Sequence, residues 1–137
     1  MMASATPLLE VQNLAITLQT QRGAVRAVHD LGFTLARGET VGLIGESGCG
    51  KSLTALALMG LLPDGASVRG SIRFDGQELL AMPDKALCQL RGNRMAMVFQ
   101  EPMSALNPVH SIGRQVAEPL RLHQGLSARQ ARTQAME

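Results

Sequence analysis

Three patterns in the 137-residue sequence predict an α/β fold in which an antiparallel β unit precedes a phosphate-binding core. Apolar and polar residues alternate through residues 8–18 and again towards residue 35, the period of half-buried strands. A short, almost wholly apolar run at residues 40–44 leads directly into a glycine-rich loop. An uncharged stretch rich in leucine and alanine follows at residues 52–62, a composition that favours helix. Strand, glycine-rich loop, helix is the order in which a backbone wraps a phosphate.

In the first strand Leu14, Ile16 and Leu18 alternate, and the polar residues 19–23 end in glycine, which predicts a hairpin turn. The second strand covers residues 25–35, alternating through Leu31, Phe33 and Leu35, before Arg37-Gly38-Glu39 turns the chain tightly. Residues 40–44 read as a strand buried between helices in a parallel sheet, because such strands are apolar on both faces. The helix after the loop should be buried on most sides, and Pro63-Asp64-Gly65 ends it. Residues 68–74, Asp75-Gly76 and residues 77–80 form a hairpin with a two-residue turn. A short helix is predicted over 83–92, an apolar strand over 95–99, and an irregular segment holding Pro102 and Pro108 over 100–108. Residues 111–123 show helical periodicity through Ile112, Val116 and Leu120, with Pro119 as a kink. Ser127 with Gln130 three residues on is a capping box that starts a last helix. That helix has barely begun at Glu137, so residues 8–137 are expected to be the N-terminal part of a longer domain, after a disordered stretch at residues 1–7.

Composition narrows the partners. A hydrophobic content of 45% suits a packed core and excludes disorder of the whole chain. The formal charge of +2, from 13 basic and 11 acidic residues spread along the sequence, provides no footprint for nucleic acid. Three Phe with no Trp or Tyr leave no platform on which bases could stack. Cys49 and Cys88 lie in unrelated contexts without metal-ligand spacing, which reads as a reduced cytosolic protein. Residues 1–7 lack the charged and apolar regions of a secretory signal, and the apolar run 53–62 is far short of the ~20 residues of a membrane span.

The loop itself is a complete phosphate-binding P-loop: Gly45, Glu46, Ser47, Gly48, Cys49, Gly50, Lys51 and Ser52, with Leu53 next. Its glycines let the backbone curl closely with N–H groups pointing inward, where side chains would obstruct the turn. The following helix offers its unpaired N–H groups and positive dipole end to an anion. Lys51 supplies a mobile charge for the β- and γ-phosphates of ATP, and the Ser52 hydroxyl is placed to ligate Mg²⁺. Cys49, beside Lys51 at a helix N-terminus, is set for thiolate reactivity, so a maleimide should block nucleotide binding and ATP should protect. Cys88 is expected to pack rather than react.

Beyond the P-loop, Arg91-Gly92 and the run Met97-Val98-Phe99-Gln100-Glu101-Pro102-Met103-Ser104-Ala105-Leu106-Asn107-Pro108 carry a resemblance. With Gly42 to Ser52, they make the chain resemble the nucleotide-binding subunits of ABC transporters, within them the peptide importer group that includes dipeptide, oligopeptide, glutathione, nickel and microcin systems. The resemblance runs from about Leu8 to about Gly125. It implies an ABC-type nucleotide-binding domain, incomplete here, with a P-loop NTPase core and an N-terminal antiparallel β subdomain. It also implies a translocase-type ATPase whose cofactors are ATP and Mg²⁺. Gln100 would begin the Q-loop, reach Mg²⁺ and the attacking water, and serve with Lys51 in catalysis. A membrane permease would be met through residues 100–110, a second nucleotide-binding domain would complete the dimer, and a periplasmic binding protein would act indirectly. Such subunits sit peripherally on the cytoplasmic face of the inner membrane.

Three departures from the family pattern stand out. Residues 12–29 hold no aromatic to stack on adenine, which leaves Arg22 or Arg26 to substitute through planar stacking. Leu53 replaces a common threonine. The Leu-Ser-Gly-Gly-Gln signature, the acidic strand that supplies a general base, and a switch histidine do not occur among these residues. His29, His110 and His123 read as surface or packing residues. Lys51, Ser52 and Gln100 can thus place phosphates and metal but cannot activate water, and these residues alone are expected to hydrolyse little ATP. A soluble ABC ATPase of translation or repair, another P-loop enzyme such as a small-molecule kinase, and a gene fragment without independent function are the other readings. The Gln100 to Pro108 run weighs against the first, and the lack of a lid segment after the first helix weighs against the second.

Overall fold

The computed structural model describes residues 6–46, 50–101 and 103–137. Most of the N-terminal stretch expected to be disordered, residues 1–5, lies outside the described residues. The chain divides into two compact units, Met1–Leu87 and Cys88–Glu137.

The first unit is built on a four-stranded antiparallel sheet. Its strands are β1 (Leu9–Thr20), β2 (Gly23–Leu35), β3 (Ser67–Phe74) and β4 (Gln77–Glu78), in the order β2-β1-β3-β4. Both hairpins follow the sequence expectation: the polar residues before Gly23 join β1 to β2, and Asp75-Gly76 joins β3 to β4. Paired along most of its length with β2 on one side and β3 on the other, β1 contributes most to the core. Leu14, Ile16 and Val11 are fully buried, with Ile72 of β3 beside them. Each such side chain stabilises the fold by about 1.5–3 kcal/mol.

The simple two-residue alternation of β1 fails at one point, and a bulge explains it. Gln12 pairs with Ser71 and Ala15 with Arg69, so Asn13 and Leu14 together face the single residue Gly70. Asn13 takes the left-handed region (φ 49) and Gly70 sits at φ 106. A Cβ at Gly70 would lie 2.5 Å from the Asn13 carbonyl oxygen, so only glycine fits opposite the bulge. From the bulge onward Leu14, Ala15 and Ile16 are buried in succession.

A polar cluster fastens the short hairpin. The Glu78 carboxylate accepts from Ser71 Oγ and, at 3.0 Å, from the Ile72 N–H, with Arg73 Nε at 3.9 Å. Burial works against its charge, but the bonds from Ser71, Ile72 N–H and Leu80 N–H, together with Arg73, outweigh that and hold the carboxyl below its ordinary 4.5. Arg37, in the tight turn after β2, pairs with Asp75 at 2.6 Å. That turn is closed by the Glu39 N–H donating to the Ala36 carbonyl at 3.1 Å.

Helix α1 (Lys51–Met59) buries Thr54, Ala57 and Met59. It is shorter than the predicted 52–62 because Gly60 enters the left-handed region (φ 68) and stops it. Gly60 N donates to the Ala57 carbonyl and Leu61 N to the Leu56 carbonyl, a Schellman closure.

Residues 40–44, expected as a buried strand, and residues 95–99, expected as an apolar strand, are not strands. Ile44 and Val98 are each 96% exposed. A central parallel strand needs hydrogen-bonding neighbours on both edges and cover on both faces. Among the described residues no strand runs beside either segment; the only bridge near 95–99 is the isolated pair Arg91 and Met95. Their apolar character is thus left without the partners that would turn it into strand.

Helix α2 (Asp84–Leu90) begins in the first unit and ends in the second, within the predicted range 83–92. The second unit carries α3 (Ile112–Gln124) and α4 (Ala128–Ala135). Pro119 lies inside α3 without ending it. The capping box on α4 is complete: Ser127 Oγ accepts from Gln130 N at 3.2 Å, and Gln130 Oε1 accepts from Ser127 N at 3.0 Å. The two helices pack with the small residues Ala117 and Ala131 buried.

Candidate nucleotide-binding site

The start of α1 is organised by Gly50. It takes the left-handed conformation (φ 94, ψ 7) and caps the helix without a side-chain hydrogen bond. No acidic residue stands in the first turn, so the first N–H groups and the positive dipole end are left to an anion. A second constraint acts here. A Cβ on Gly50 would lie 2.8 Å from Val28 Cγ2 and 3.0 Å from the Ala27 carbonyl oxygen. Gly50 is therefore required for the close approach of α1 to β2 as well as for its own backbone geometry.

Lys51 Nζ donates to the carbonyl of Gly45, tying the charge at the loop's end to its first glycine. Ser52 is exposed, Leu53 half-buried, and Gly45 and Glu46 exposed. Ser47, Gly48 and Cys49 lie outside the described residues. Thr54 is a participant that sequence reading missed. Its buried Oγ1 donates to the Gly50 carbonyl at 2.8 Å, beside the helical bond from its own N–H at 2.9 Å. The signal was present: a hydroxyl four residues after the last glycine, within the apolar part of the helix, has that carbonyl within reach as an acceptor.

Gln100 and Glu101 belong to the second unit and are both exposed; Pro102 lies outside the described residues. Past them the chain is held by Gln115 of α3, which sequence reading also missed. Gln115 Oε1 accepts from Asn107 N at 2.8 Å, and its Nε2 donates to the carbonyls of Asn107 and His110, each at 2.9 Å. Nothing local marks that glutamine, because its partner lies eight residues back across an irregular segment.

The remaining candidates divide. Arg26 pairs with Asp30 at 3.7 Å and Arg22 lies in the hairpin turn, where its N–H donates to Thr20 Oγ1. His29 and His110 are exposed, and His123 is half-buried beside Gly92, in keeping with surface and packing roles. Cys88 corrects the expectation of a packed thiol: it is exposed on α2, where the helix turns Leu87 inward instead, and its Sγ accepts from Arg91 at 3.8 Å. Among the described residues no helix is long and apolar enough to cross a membrane.

Comparison with known proteins agrees with the motifs. The ABC transporter family model matches residues 28–137. A peptide import ATP-binding protein of Brucella abortus is 52% identical over 132 residues, covering 96% of this chain and 40% of that protein. The oligopeptide transport ATP-binding protein OppD of Salmonella typhimurium is 50% identical over 127 residues, 93% of this chain and 38% of its own length. OppD of Mycobacterium tuberculosis is 47% identical over 96% of this chain and 22% of itself. The chain thus spans well under half the length of these relatives. Among solved structures, the dimeric bacterial ABC transporter cassette MJ0796 superposes with a TM-score of 0.77 at 22% identity, over 93% of this chain and 54% of that one, a likeness of fold. The antiparallel sheet and the helices are accordingly part of the ABC ATPase fold, and the chain belongs to the ABC transporter family.

Proposed function

We propose that the chain forms the phosphate- and metal-positioning half of an ATPase that powers a peptide-type importer. Residues 8–137 would be the N-terminal part of its nucleotide-binding domain. The observation that carries the reading is the start of α1, where a glycine cap leaves the helix N–H groups without a side-chain partner and Lys51 stands beside them. Residues 45–53 would hold the phosphates of ATP: backbone N–H groups at the start of α1 would donate to the oxygens, and Lys51 would exchange the Gly45 carbonyl for the β- and γ-phosphates. Mg²⁺ suits the chemistry of the proposed donors, the Ser52 hydroxyl and the Gln100 amide oxygen, because both are hard, neutral oxygen ligands that would share the ion with phosphate oxygens and water. When bound, the ion neutralises phosphate charge. Lys51 and Gln100 position the reacting groups, and neither is a base for the attacking water. Residues 100–110 contact the permease, a second nucleotide-binding domain faces the bound ATP, and a periplasmic binding protein delivers cargo. The protein then works on the cytoplasmic face of the inner membrane.

Titration with a fluorescent ATP analogue and Mg²⁺ tests the first step. Replacing Lys51 with alanine removes a charge-assisted contact of about 1.5–3 kcal/mol, so affinity should fall roughly 10- to 150-fold. Equal affinity of the wild type and Lys51→Ala would defeat the assignment.

A further inference from the structure

We infer that the Gln115 carboxamide fixes the far end of the segment beginning at Gln100, which makes Gln115 a positioning residue for that glutamine; the inference rests on the functional reading above. Gln115 stands in the first turns of α3, and its side chain reaches back to the chain that enters the helix. Both faces of the amide are used. The oxygen accepts from Asn107 N at 2.8 Å, and the nitrogen donates to the Asn107 and His110 carbonyls at 2.9 Å. Asn107 is thereby held by its donor and its acceptor together, as a neighbouring strand would hold it.

Local bonds complete the arrangement. Asn107 Oδ1 accepts from Val109 N at 2.9 Å, and His110 N donates to the Asn107 carbonyl at 3.3 Å. Pro108 between them has a locked φ and no N–H to satisfy. Ser111 follows directly and caps α3 by accepting from Arg114 N at 3.3 Å. Residues 107–111 therefore form an extension of α3 that moves with it. The chain from Gln100 to this anchor is only residues 101–106, whose described members are all exposed. A displacement of α3 reaches Gln100 through those six residues, a span of at most about 20 Å when fully extended. Without the clamp, residues 107–110 would join the slack and the displacement would be absorbed.

Only an amide serves both faces. In Q115E the acceptor for Asn107 N–H survives, whereas the carboxylate faces the two carbonyls without a donor. In Q115A the whole clamp is lost. Hydrogen–deuterium exchange on the full chain reads this directly: Q115A should speed exchange at the Asn107 amide by about tenfold or more, and Q115E should keep that amide protected. Amides of β1 and α1 serve as the internal standard and should not change. In the full-length ATPase assembled with its partners, Q115A should lower kcat about fivefold or more while leaving KM for ATP near the wild-type value, with Q115E between the two. Unchanged Asn107 exchange in Q115A overturns the clamp. Faster exchange with unchanged kcat overturns the positioning role. A wild-type chain that fails to bind ATP overturns the role through the functional reading, a failure that the binding titration identifies separately from the exchange result.

Discussion

Substituting alanine at Gly50 loads two separable penalties onto one position. The first is conformational: at φ 94 and ψ 7 an L-residue sits in the left-handed region, which costs about 1–2 kcal/mol. The second is steric: the new methyl would meet Val28 Cγ2 at 2.8 Å and the Ala27 carbonyl oxygen at 3.0 Å. The valine methyl could rotate away, but the carbonyl is strand backbone, so overpacking adds about 1–3 kcal/mol. Gly50→Ala should therefore destabilise the first unit by about 2–5 kcal/mol. Gly76 supplies the control. It has a comparable φ of 81 with nothing within 4 Å of its added Cβ, so Gly76→Ala carries only the conformational part, about 1–2 kcal/mol. Urea denaturation of both variants, followed by far-ultraviolet circular dichroism, measures the difference. Equal destabilisation would refute the argument, because it would mean that α1 does not press against β2 through Gly50.

Other perturbations test separate contacts. Because the Glu78 carboxyl is held below its ordinary value in the folded chain, its charge stabilises the fold above about pH 4.5, and that contribution is lost as pH falls through the lower folded value. Glu78→Gln should cost about 1 kcal/mol near neutral pH, a figure kept small because the side chain is 32% exposed, and the gap to wild type should close in acid; a gap that widens on acidification would contradict the sign. Thr54→Val keeps the shape and removes the donor to the Gly50 carbonyl, so the urea midpoint should report a loss of about 0.5–1.5 kcal/mol, and an unchanged midpoint would show the bond to be idle. For Cys49, maleimide labelling should be slowed by ATP, and equal rates with and without nucleotide would remove the thiol from the site.

What the sequence made legible was local. Alternation gave β1 and β2, Asp75-Gly76 marked the turn between β3 and β4, and Ser127 with Gln130 marked the start of α4 to the residue. Each of these signals is complete within a few neighbouring positions. Residues 40–44 and 95–99 show the opposite case. An apolar run states which side chains require cover, while strand formation depends on neighbours whose presence the run does not encode. The bulge at Asn13 was invisible for a related reason, since it exists only in the register between β1 and β3, where Gly70 makes room for it. In the candidate site the motif identified Gly50 by its turn geometry and gave no hint that β2 lies against it. Gln115 escaped because a glutamine on a helix surface is ordinary until the chain eight residues earlier folds back to it.

The start of α1 and the Gln100 segment each rest on an anchor within their own unit, and the two anchors differ in kind. Gly50 brings the start of α1 against the backbone of β2, and Thr54 locks the first turn, so the N–H groups proposed to meet phosphate are held by the chain's own contacts. Preorganisation of that sort lowers the entropy lost on binding and favours affinity. The Gln100 segment combines a fixed end at Asn107 with an intervening stretch whose described residues are exposed, an arrangement that permits movement and directs it. Damage to the first anchor should therefore appear in ATP affinity and in the stability of the first unit. Damage to the second should leave affinity in place and appear in turnover, so the two sets of variants separate holding the nucleotide from responding to it.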